Sequence, residues 1–501
     1  MSDAIISSAG PLSVAVLSLL TVRFTLRGLG DAAYGVWIAA ITLGEALSFL
    51  NLGIGRTISR HVTRRASNGT DLFLEAAFLA HMFFGVLGAV ALAIAGTYLP
   101  SRIGVTTAGL AWAGPLFTLA GVVFLANQIV AFCNEVLIGQ QRFRAQNFIT
   151  TASAAVRFLG LLLLVWTGMT PLRVGVLHAV LAAATAVCAL FAINPPSLGL
   201  SHFPRSVHWR ALSENLRFGV LSQLIAGLAS VIWQSGPLII GVMLGSAAIT
   251  PYYVGMRFPA VLLAAAWNIA SVLFPAAGKW SEEDDNSRIV LRVGARLAFL
   301  VIAPAALVLM LVPDMILAAW LGSVPAGAAF LLRFATIAVV VDAIASSSVQ
   351  LLWAHAILRP IVTGTAAGAV VALTATVSLV PQFGVGGAAV GLCLAILVAG
   401  ACYVTASLRR AKYPARRFRI DLFDGVLLPL LAAGLLLKLV VRVVTPTNST
   451  QVFSLCGVIE LFFYLAFWRL GANIDERALV GRAGNKVAAF RWRILPHANS
   501  R

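Results

Sequence analysis

The sequence contains few charged residues, and acidic residues are the scarcest of them. Only 11% of the 501 residues are charged, with 18 acidic residues against 36 Lys and Arg. A soluble globular domain carries roughly 25% charged residues. Here 60% of the residues are hydrophobic, and the mean hydropathy is +0.93. These values exclude an ordinary soluble domain and indicate an integral membrane protein.

Cysteine and the motifs of common enzymes are also scarce or missing. The five cysteines lie in apolar segments, and none belongs to a C-x-x-C motif. We therefore expect neither disulfides nor a zinc site. The sequence contains no P-loop, no H-E-x-x-H motif and no credible pairing of a nucleophile with a base. We expect no enzymatic activity, no cofactor and no metal.

Long apolar segments follow one another along nearly the whole chain. A membrane-spanning helix needs about 20 apolar residues, and by that measure we count roughly fourteen spans. The predicted ranges are 5–27, 33–53, 73–98, 110–137, 146–167, 172–193, 214–243, 249–277, 289–312, 327–352, 360–380, 386–408, 421–443 and 452–469. The first range lacks a signal-peptide pattern, so we expect it to be retained. The sequence therefore predicts an all-α integral membrane protein.

Positive charge is concentrated in alternate connections between these spans. The basic set contains Arg56, Arg60, Arg64, Arg65, Arg142, Arg144, Arg205, Arg210, Arg217, Lys279, Arg288, Arg292, Arg359, the arginines of 409–419 and the C-terminal tail. The other set holds little beyond Arg27, Arg102, Arg173 and Arg442. Because Lys and Arg accumulate in cytoplasmic loops, we predict that both termini are cytoplasmic. The net charge of +18 then reflects membrane topology, and we expect no nucleic-acid partner.

The sequence also repeats at an offset of about 215 positions. The letters LGDAA at 29–33 recur as LGSAA at 244–248. The same offset aligns Asn127 with Asp342 and Arg144 with Arg359. An even number of helices in each repeat gives both halves the same orientation in the membrane.

This repeat predicts two six-helix lobes in parallel pseudo-repeat, followed by two C-terminal helices. The predicted divisions are an N-lobe (1–200, helices 1–6), an amphipathic cytoplasmic linker (201–218), a C-lobe (219–412, helices 7–12), helices 13 and 14 (413–470) and a basic cytoplasmic tail (471–501).

A few charged residues fall inside the predicted spans, where they are costly and usually face a cavity or a partner. They include Arg23, Arg27, Glu45, Arg157, Arg257 and Asp342. For Arg27 the alternative is a side chain that extends to the membrane surface. The repeat offset maps Arg257 onto Thr42, one helical turn before Glu45, so we expect Glu45 and Arg257 to face each other across the lobe interface. Glu45 then either takes part in function or forms a structural ion pair with Arg257.

One aspartate and two histidines in the spans are interpreted on their own, and the aspartate has two interpretations. Asp342 either binds a coupling proton or cation, or is hydrogen-bonded to neighbours such as Ser346. His81 and His178 we interpret as interior residues whose hydrogen bonds are satisfied within the protein.

Four motifs resemble bacterial polysaccharide flippases. They are R-x-L-G-x-x-x-Y-G at Arg27–Gly35, L-N-L-G-I-G-R at Leu50–Arg56, G-Q-Q-R-F at Gly139–Phe143 and V-P-Q-F-G-V-G-G-A-A-V at Val380–Val390. That family belongs to a superfamily that also includes multidrug extruders and the lipid II flippase. The resemblance covers nearly the whole chain. One departure is Asn51, where the family often has Asp, so we assign no charge-dependent role there.

The resemblance implies an alternating-access exporter in the bacterial inner membrane. Its substrate would be an undecaprenyl-diphosphate-linked oligosaccharide, moved from the cytoplasmic to the periplasmic leaflet for surface polysaccharide synthesis. Its partners would be membrane lipid and, in polysaccharide assembly, a polymerase and other assembly proteins. The alternatives are a multidrug extruder, a lipid II flippase or, less favoured, a membrane polysaccharide polymerase or ligase.

With that substrate, the arginines in the spans become candidate ligands of a diphosphate, because guanidinium groups are always charged and donate several hydrogen bonds. We predict that Arg23 and Arg257 hold the diphosphate together, with Arg157 and Arg27 as further cavity residues. Glu45 and Asp342 are candidates for the lobe interface or for ion coupling. Arginines outnumber acids inside the spans, which favours an anionic substrate over the cationic drugs of multidrug extruders.

Overall fold

The computed structural model describes residues 2–47, 54–64, 72–193, 209–279, 284–444 and 448–472. Within these ranges the chain forms sixteen α-helices and no β-strand. The helices are α1 (Ser2–Leu47), α2 (Ile54–Arg64), α3 (Leu72–Arg102), α4 (Thr107–Gly139), α5 (Phe143–Thr167), α6 (Pro171–Ile193), α7 (Trp209–Leu244), α8 (Ile249–Lys279), α9 (Asp284–Leu311), α10 (Pro313–Leu321), α11 (Ala328–Ala354), α12 (Arg359–Phe383), α13 (Val385–Arg410), α14 (Ala415–Phe423), α15 (Leu427–Val444) and α16 (Ser449–Leu470).

The predicted all-α membrane fold is confirmed. Eleven helices of the described chain are long and apolar enough to cross a membrane. Each of the predicted spans overlaps a helix, and the first two are joined in α1, which is broken at Gly30. The total of fourteen spans stays a prediction, because neither half of α1 nor α8 is among those eleven.

The repeat found in the sequence is visible in the backbone. Gly30 interrupts α1 with φ 76° and ψ 166°, and Gly245, 215 positions later, separates α7 from α8 with φ 94° and ψ 168°. Positive φ is readily available only to glycine, which explains why both repeats of the LG-x-AA motif carry Gly at this position. The two halves of α1 therefore correspond to α7 and α8.

Two further turns follow the same offset. Gln141 and Ala356, 215 positions apart, have φ values of 57° and 56°. Each lies in a helix-ending turn, in which Arg142 N donates to Leu137 O and Ile357 N donates to Leu352 O. These matches support two lobes, α1–α6 and α7–α13, with α15 and α16 as the two added C-terminal helices. The exact divisions of the chain stay a prediction.

The short helices α2, α10 and α14 were not predicted, because each is too short to cross a membrane. In α2, Ile58 is fully buried, while the sequence places Arg56, Arg60 and Arg64 at four-residue spacing. The helix α14 buries Phe418 and carries further arginines. We call the end of the bundle that carries α2 and α14 the basic end.

The predicted linker 201–218 lies outside the described residues up to position 208, and the predicted tail 471–501 lies outside them from position 473. From Trp209 onward the linker sequence is helical and continuous with α7. The surface position of the linker stays a prediction.

The opposite end contains the turns at Gly30, Gly168 and Gly245, and we call it the glycine-turn end. One hydrophobic cluster contains residues of both lobes, including Trp37, Tyr252 and Trp320, and extends to Phe418 in α14 at the basic end. Hydrogen bonds also join the two lobes at the glycine-turn end. Arg27 Nη2 donates to Leu321 O (2.8 Å), Trp320 Nε1 to Leu19 O (3.1 Å), Ser246 N to Ile103 O (2.7 Å) and Thr250 Oγ1 to Asp31 O (2.7 Å). The glycine-turn end is therefore closed.

Candidate functional site

A cavity of about 270 Å³ lies between the lobes, behind the closed glycine-turn end. Helices α1, α4, α5, α6 and α8 contribute its walls. Its polar and charged lining includes Glu45, Asn127, Arg157, His178 and Arg257. We call it the lobe cavity.

Helix geometry explains why Arg157 and His178 meet here. Arg157 lies eleven positions before the turn at Gly168, and His178 lies ten positions after it. In an antiparallel pair of helices, residues equally far from the turn lie at the same depth, here about 15 Å at 1.5 Å per residue. The two side chains therefore reach the lobe cavity from neighbouring helices of the N-lobe.

Arg257 enters the same cavity from the C-lobe. Its guanidinium carbon lies 3.4 Å from the centroid of the Tyr253 ring, one helical turn earlier on α8. A guanidinium over an aromatic face is attracted by the ring quadrupole and keeps its N–H edge free for another acceptor. This contact fixes the plane of the Arg257 side chain without neutralising its charge.

Three ring or guanidinium nitrogens in the lobe cavity have buried positions but no hydrogen-bond partner within the described structure. They are Nε of Arg157, Nε of Arg257 and Nε2 of His178. Buried polar groups are usually hydrogen-bonded, and a group left without a partner costs free energy. An anionic acceptor would supply the guanidinium groups with partners that they lack in the described structure.

Glu45 provides the acidic group in this cavity. Its Oε2 accepts a hydrogen bond of 2.9 Å from Gln234 Nε2 in α7, so the contact crosses from the N-lobe to the C-lobe. Glu45 and Arg257 both line the cavity. The ion pair between them stays a prediction.

A second pocket of about 290 Å³ adjoins the lobe cavity within the N-lobe. The two share Trp37, Glu45 and Asn127, and the second pocket adds Phe124 and Gln128. On α4 this pocket reaches from Ala120 to Ala131, beyond Val123 and Asn127 of the lobe cavity in both directions.

The other predicted arginines lie elsewhere. Thr21 and Thr25 line the lobe cavity, and Arg23 lies roughly 160° around the helix from both at 100° per residue. Arg27 donates from Nε (3.2 Å) and Nη2 (2.8 Å) to Leu321 O, at the end of α10. Arg27 thus contributes to closing the glycine-turn end, and the joint role of Arg23 and Arg257 stays a prediction.

Asp342 lies inside the C-lobe and is not part of the lobe-cavity lining. Its Oδ2 accepts a hydrogen bond of 2.8 Å from Trp267 Nε1 on α8. Its repeat-related residue in the N-lobe, Asn127, does line the lobe cavity. An ion-coupling role for Asp342 stays a prediction.

The sequence contained signals for residues that we did not select. His178 was expected to be satisfied inside the protein, yet its position mirrors that of Arg157 about Gly168. Tyr253 precedes Arg257 by four positions, which places both on one helix face. His81 fits the expectation, since its Nδ1 lies 2.9 Å from the carbonyl oxygen of Ala77.

The lobe cavity is suited to binding an anion. Two permanently charged guanidinium groups and one imidazole face a single carboxylate. Within the described residues, no three His, Cys, Asp or Glu side chains come together as metal ligands.

Several solved structures share this fold. The lipid II flippase MurJ in an inward closed conformation matches with a TM-score of 0.70 at 13% identity, covering 93% of this chain and 99% of MurJ. An inward-facing multidrug resistance MATE family transporter of the MOP superfamily matches with a TM-score of 0.65 at 15% identity, covering 82% and 98%. A MOP superfamily transporter from Pyrococcus furiosus, described as having a binding pocket of reversed polarity, matches with a TM-score of 0.58 at 14% identity, covering 82% and 94%.

The sequence comparisons identify the family. No curated protein matches this chain. The family model described as polysaccharide biosynthesis protein matches residues 26–324, which is more than half of the chain and includes Arg27, Arg157 and Arg257. This chain therefore belongs to the polysaccharide biosynthesis protein family.

Proposed function

We propose that the protein is a flippase for lipid-diphosphate-linked oligosaccharides, with undecaprenyl diphosphate as the lipid carrier. It moves the headgroup from the cytoplasmic to the periplasmic leaflet by alternating access, for surface polysaccharide synthesis. Membership of the polysaccharide biosynthesis family and the fold shared with MurJ support this proposal.

One observation carries the proposal. Arg157 from the N-lobe and Arg257 from the C-lobe line the same cavity, and each has a buried Nε without a partner in the described structure. A diphosphate presents several anionic oxygens and accepts hydrogen bonds from both groups at once. Its binding energy then depends on how closely the lobes approach, which links binding to motion.

The lining also discriminates between substrates. A cationic drug entering the lobe cavity meets two guanidinium groups, and the carboxylate of Glu45 already accepts a hydrogen bond from Gln234. The balance of charge therefore favours anions over the cations that a multidrug extruder takes. Lipid II is itself a lipid-linked diphosphate, so it is the second candidate substrate for the same cavity.

The closed glycine-turn end gives the direction of loading. Arg27 donates to Leu321 O and Thr250 to Asp31 O, and these hydrogen bonds hold the lobes together there. The basic end faces the cytoplasm in this proposal, because Lys and Arg accumulate on that side. Substrate then enters from the cytoplasmic leaflet of the bacterial inner membrane, and a polymerase on the other side uses the product.

Transport into proteoliposomes tests the proposal. The substrate is a fluorescent undecaprenyl-diphosphate oligosaccharide whose exposure on each leaflet is read by a membrane-impermeant quencher. Wild-type protein should equilibrate it between leaflets, and an Arg157→Ala, Arg257→Ala double variant should not. Arg442→Ala removes an exposed arginine outside the cavity and should transport normally. The proposal would be contradicted if the protein transported a cationic dye but not the lipid-linked oligosaccharide, and if the double variant transported the dye equally well. The function would then be drug export.

A further inference from the structure

The pocket that adjoins the lobe cavity is a groove between two helices of the N-lobe. Its lining residues recur at four-residue spacing on one face of each helix: Trp37, Ile41 and Glu45 on α1, and Val123, Asn127 and Ala131 on α4. We call this groove the N-lobe pocket. Its volume of about 290 Å³ is at the lower end of the roughly 300–1,000 Å³ found for small-molecule sites, which suits a single ring.

Small residues keep this groove open. Ala40, Gly44 and Ala120 belong to its lining. A Cβ placed on Gly44 would lie 3.6 Å from Leu92 Cδ1 and 3.8 Å from a ring carbon of Phe124, which are ordinary contact distances. Close packing therefore does not require a glycine at position 44, and its missing side chain adds space to the N-lobe pocket.

Two adjacent amides of α4 contribute polar groups to this pocket. Asn127 is exposed although α4 is long and apolar enough to cross a membrane, and it lines both the N-lobe pocket and the lobe cavity. Gln128 is only 3% exposed, and its Oε1 has no hydrogen-bond partner in the described structure. A polar side chain within a membrane span usually faces a cavity or a partner, and these two lie where a ligand can supply one.

The chemistry of an amide matches that of a sugar. A side-chain amide offers one carbonyl acceptor and two N–H donors, and a hydroxyl group both donates and accepts. A diphosphate oxygen only accepts, so it cannot donate to the carbonyl oxygen of Asn127 or Gln128. A sugar hydroxyl can, and the free-energy cost of a buried acceptor without a donor then disappears.

The position of the pocket fits the covalent order of the proposed substrate. In a lipid-diphosphate-linked oligosaccharide the first sugar is bonded directly to a phosphate. Arg157 and Arg257 line the lobe cavity, and Asn127 lies in the lining of this cavity and of the N-lobe pocket. A ligand whose diphosphate lies in the lobe cavity therefore has its first sugar beside the N-lobe pocket.

We propose that the N-lobe pocket binds the sugar that is bonded to the diphosphate, and that Asn127 selects this sugar through hydrogen bonds to its hydroxyl or acetamido groups. This inference rests on the proposed flippase function and adds a binding site for the first sugar to it. Because the pocket has room for one ring, the later sugars lie outside it. The protein therefore discriminates between substrates by their first sugar and tolerates variation in the others.

Binding of two probes to the full-length protein in nanodiscs tests this inference. The probes are undecaprenyl diphosphate and undecaprenyl-diphosphate N-acetylglucosamine, and the dissociation constant of each variant is compared with that of the wild type for the same probe. Asn127→Leu removes the amide at a similar side-chain size, and Ala131→Leu fills the pocket one helical turn further along α4 without removing a polar group. The control Asn134→Leu replaces another amide of α4 whose buried Oδ1 lacks a partner in the described structure but which lines neither cavity.

Asn127→Leu and Ala131→Leu should each bind the sugar-bearing probe roughly 2- to 10-fold more weakly, as expected for the loss of about one hydrogen bond, and should bind undecaprenyl diphosphate like the wild type. The control should match the wild type for both probes. Wild-type affinity of both pocket variants for the sugar-bearing probe would overturn the inference and leave diphosphate binding intact. An equal loss for both probes would also overturn it, because the pocket would then serve the diphosphate or the fold. If the wild type bound neither probe, the flippase function itself would be contradicted, and this inference with it.

Discussion

At Arg257 the guanidinium carbon lies 3.4 Å from the centroid of the Tyr253 ring. A cation against an aromatic face gains about 0.5–2 kcal/mol, depending on how far it is desolvated. The group keeps its full charge and its donors for a ligand. For an anion-binding cavity this support is more useful than a carboxylate, which would compete with the substrate.

This contact makes a prediction about Tyr253. Tyr253→Phe keeps the ring and should transport at close to the wild-type rate. Tyr253→Leu removes the ring and should weaken substrate binding by roughly 2- to 30-fold, following the range of cation–π energies. The apparent affinity for undecaprenyl diphosphate in nanodiscs is the readout. Equal affinities of the Phe and Leu variants would show that the ring does not position the guanidinium.

Glu45 allows a prediction that separates two substrate classes. Glu45→Gln removes the negative charge while keeping an oxygen that can accept from Gln234. An anionic substrate should then bind as well as in wild type or more tightly, because a like charge has left the cavity. Binding of rhodamine-type cations measured alongside should not exceed that of a protein-free control. Loss of diphosphate binding in this variant would show that the carboxylate is needed for the substrate itself.

Among the elements, the first helix shows how closely the lobes approach. Gly35 follows the break at Gly30, and a Cβ placed on Gly35 would overlap the carbonyl oxygen of Ser246 in the C-lobe. Only a hydrogen atom fits between the two backbones. The glycine therefore permits the closed glycine-turn end.

Gly35→Ala should weaken this closure. Inserting a methyl group into a tight contact costs about 1–3 kcal/mol, and separating the lobes relieves that cost. A Thr25→Cys reporter, which lines the lobe cavity and is buried, should then react faster with a membrane-impermeant thiol reagent added from the glycine-turn side. Gly457→Ala in α16 is the control, since its Cβ would have open space. Identical labelling of both variants would show that Gly35 does not limit closure.

The helices that could be predicted from the sequence are those with a long apolar run or a repeated motif. Apolar runs of about 20 residues identify the spans, and the repeated glycine motif identifies the breaks at Gly30 and Gly245. The short helices α2, α10 and α14 were missed because they lack that length. The convergence of Arg157 and Arg257 depends on how the lobes approach each other, which spacing along a single chain does not define. Arg23 shows the same limit, because its face of α1 is set by the packing of the lobes.

For the whole molecule, the fold predicts a topology. Insertion reporters at Ser101 and Val324, at the glycine-turn end, should read periplasmic, and a reporter at Ala415 in α14 should read cytoplasmic. The reason is the concentration of Lys and Arg at the basic end. Alkaline phosphatase and green fluorescent protein fusions provide complementary readouts. A cytoplasmic reading at Ser101 together with a periplasmic one at Ala415 would invert the direction of transport proposed above.

The central claim is that the two lobes share one anionic ligand through Arg157 and Arg257. The most direct measurement is the dissociation constant for undecaprenyl diphosphate in nanodiscs. Proteins to compare are the wild type, Arg157→Gln, Arg257→Gln, Arg23→Gln and the control Arg442→Gln. A charge-assisted hydrogen bond contributes about 1.5–3 kcal/mol, so each of the first two variants should bind roughly 10- to 100-fold more weakly, with the control unchanged. Wild-type affinity in both Arg157→Gln and Arg257→Gln, or a loss confined to Arg23→Gln, would contradict the account.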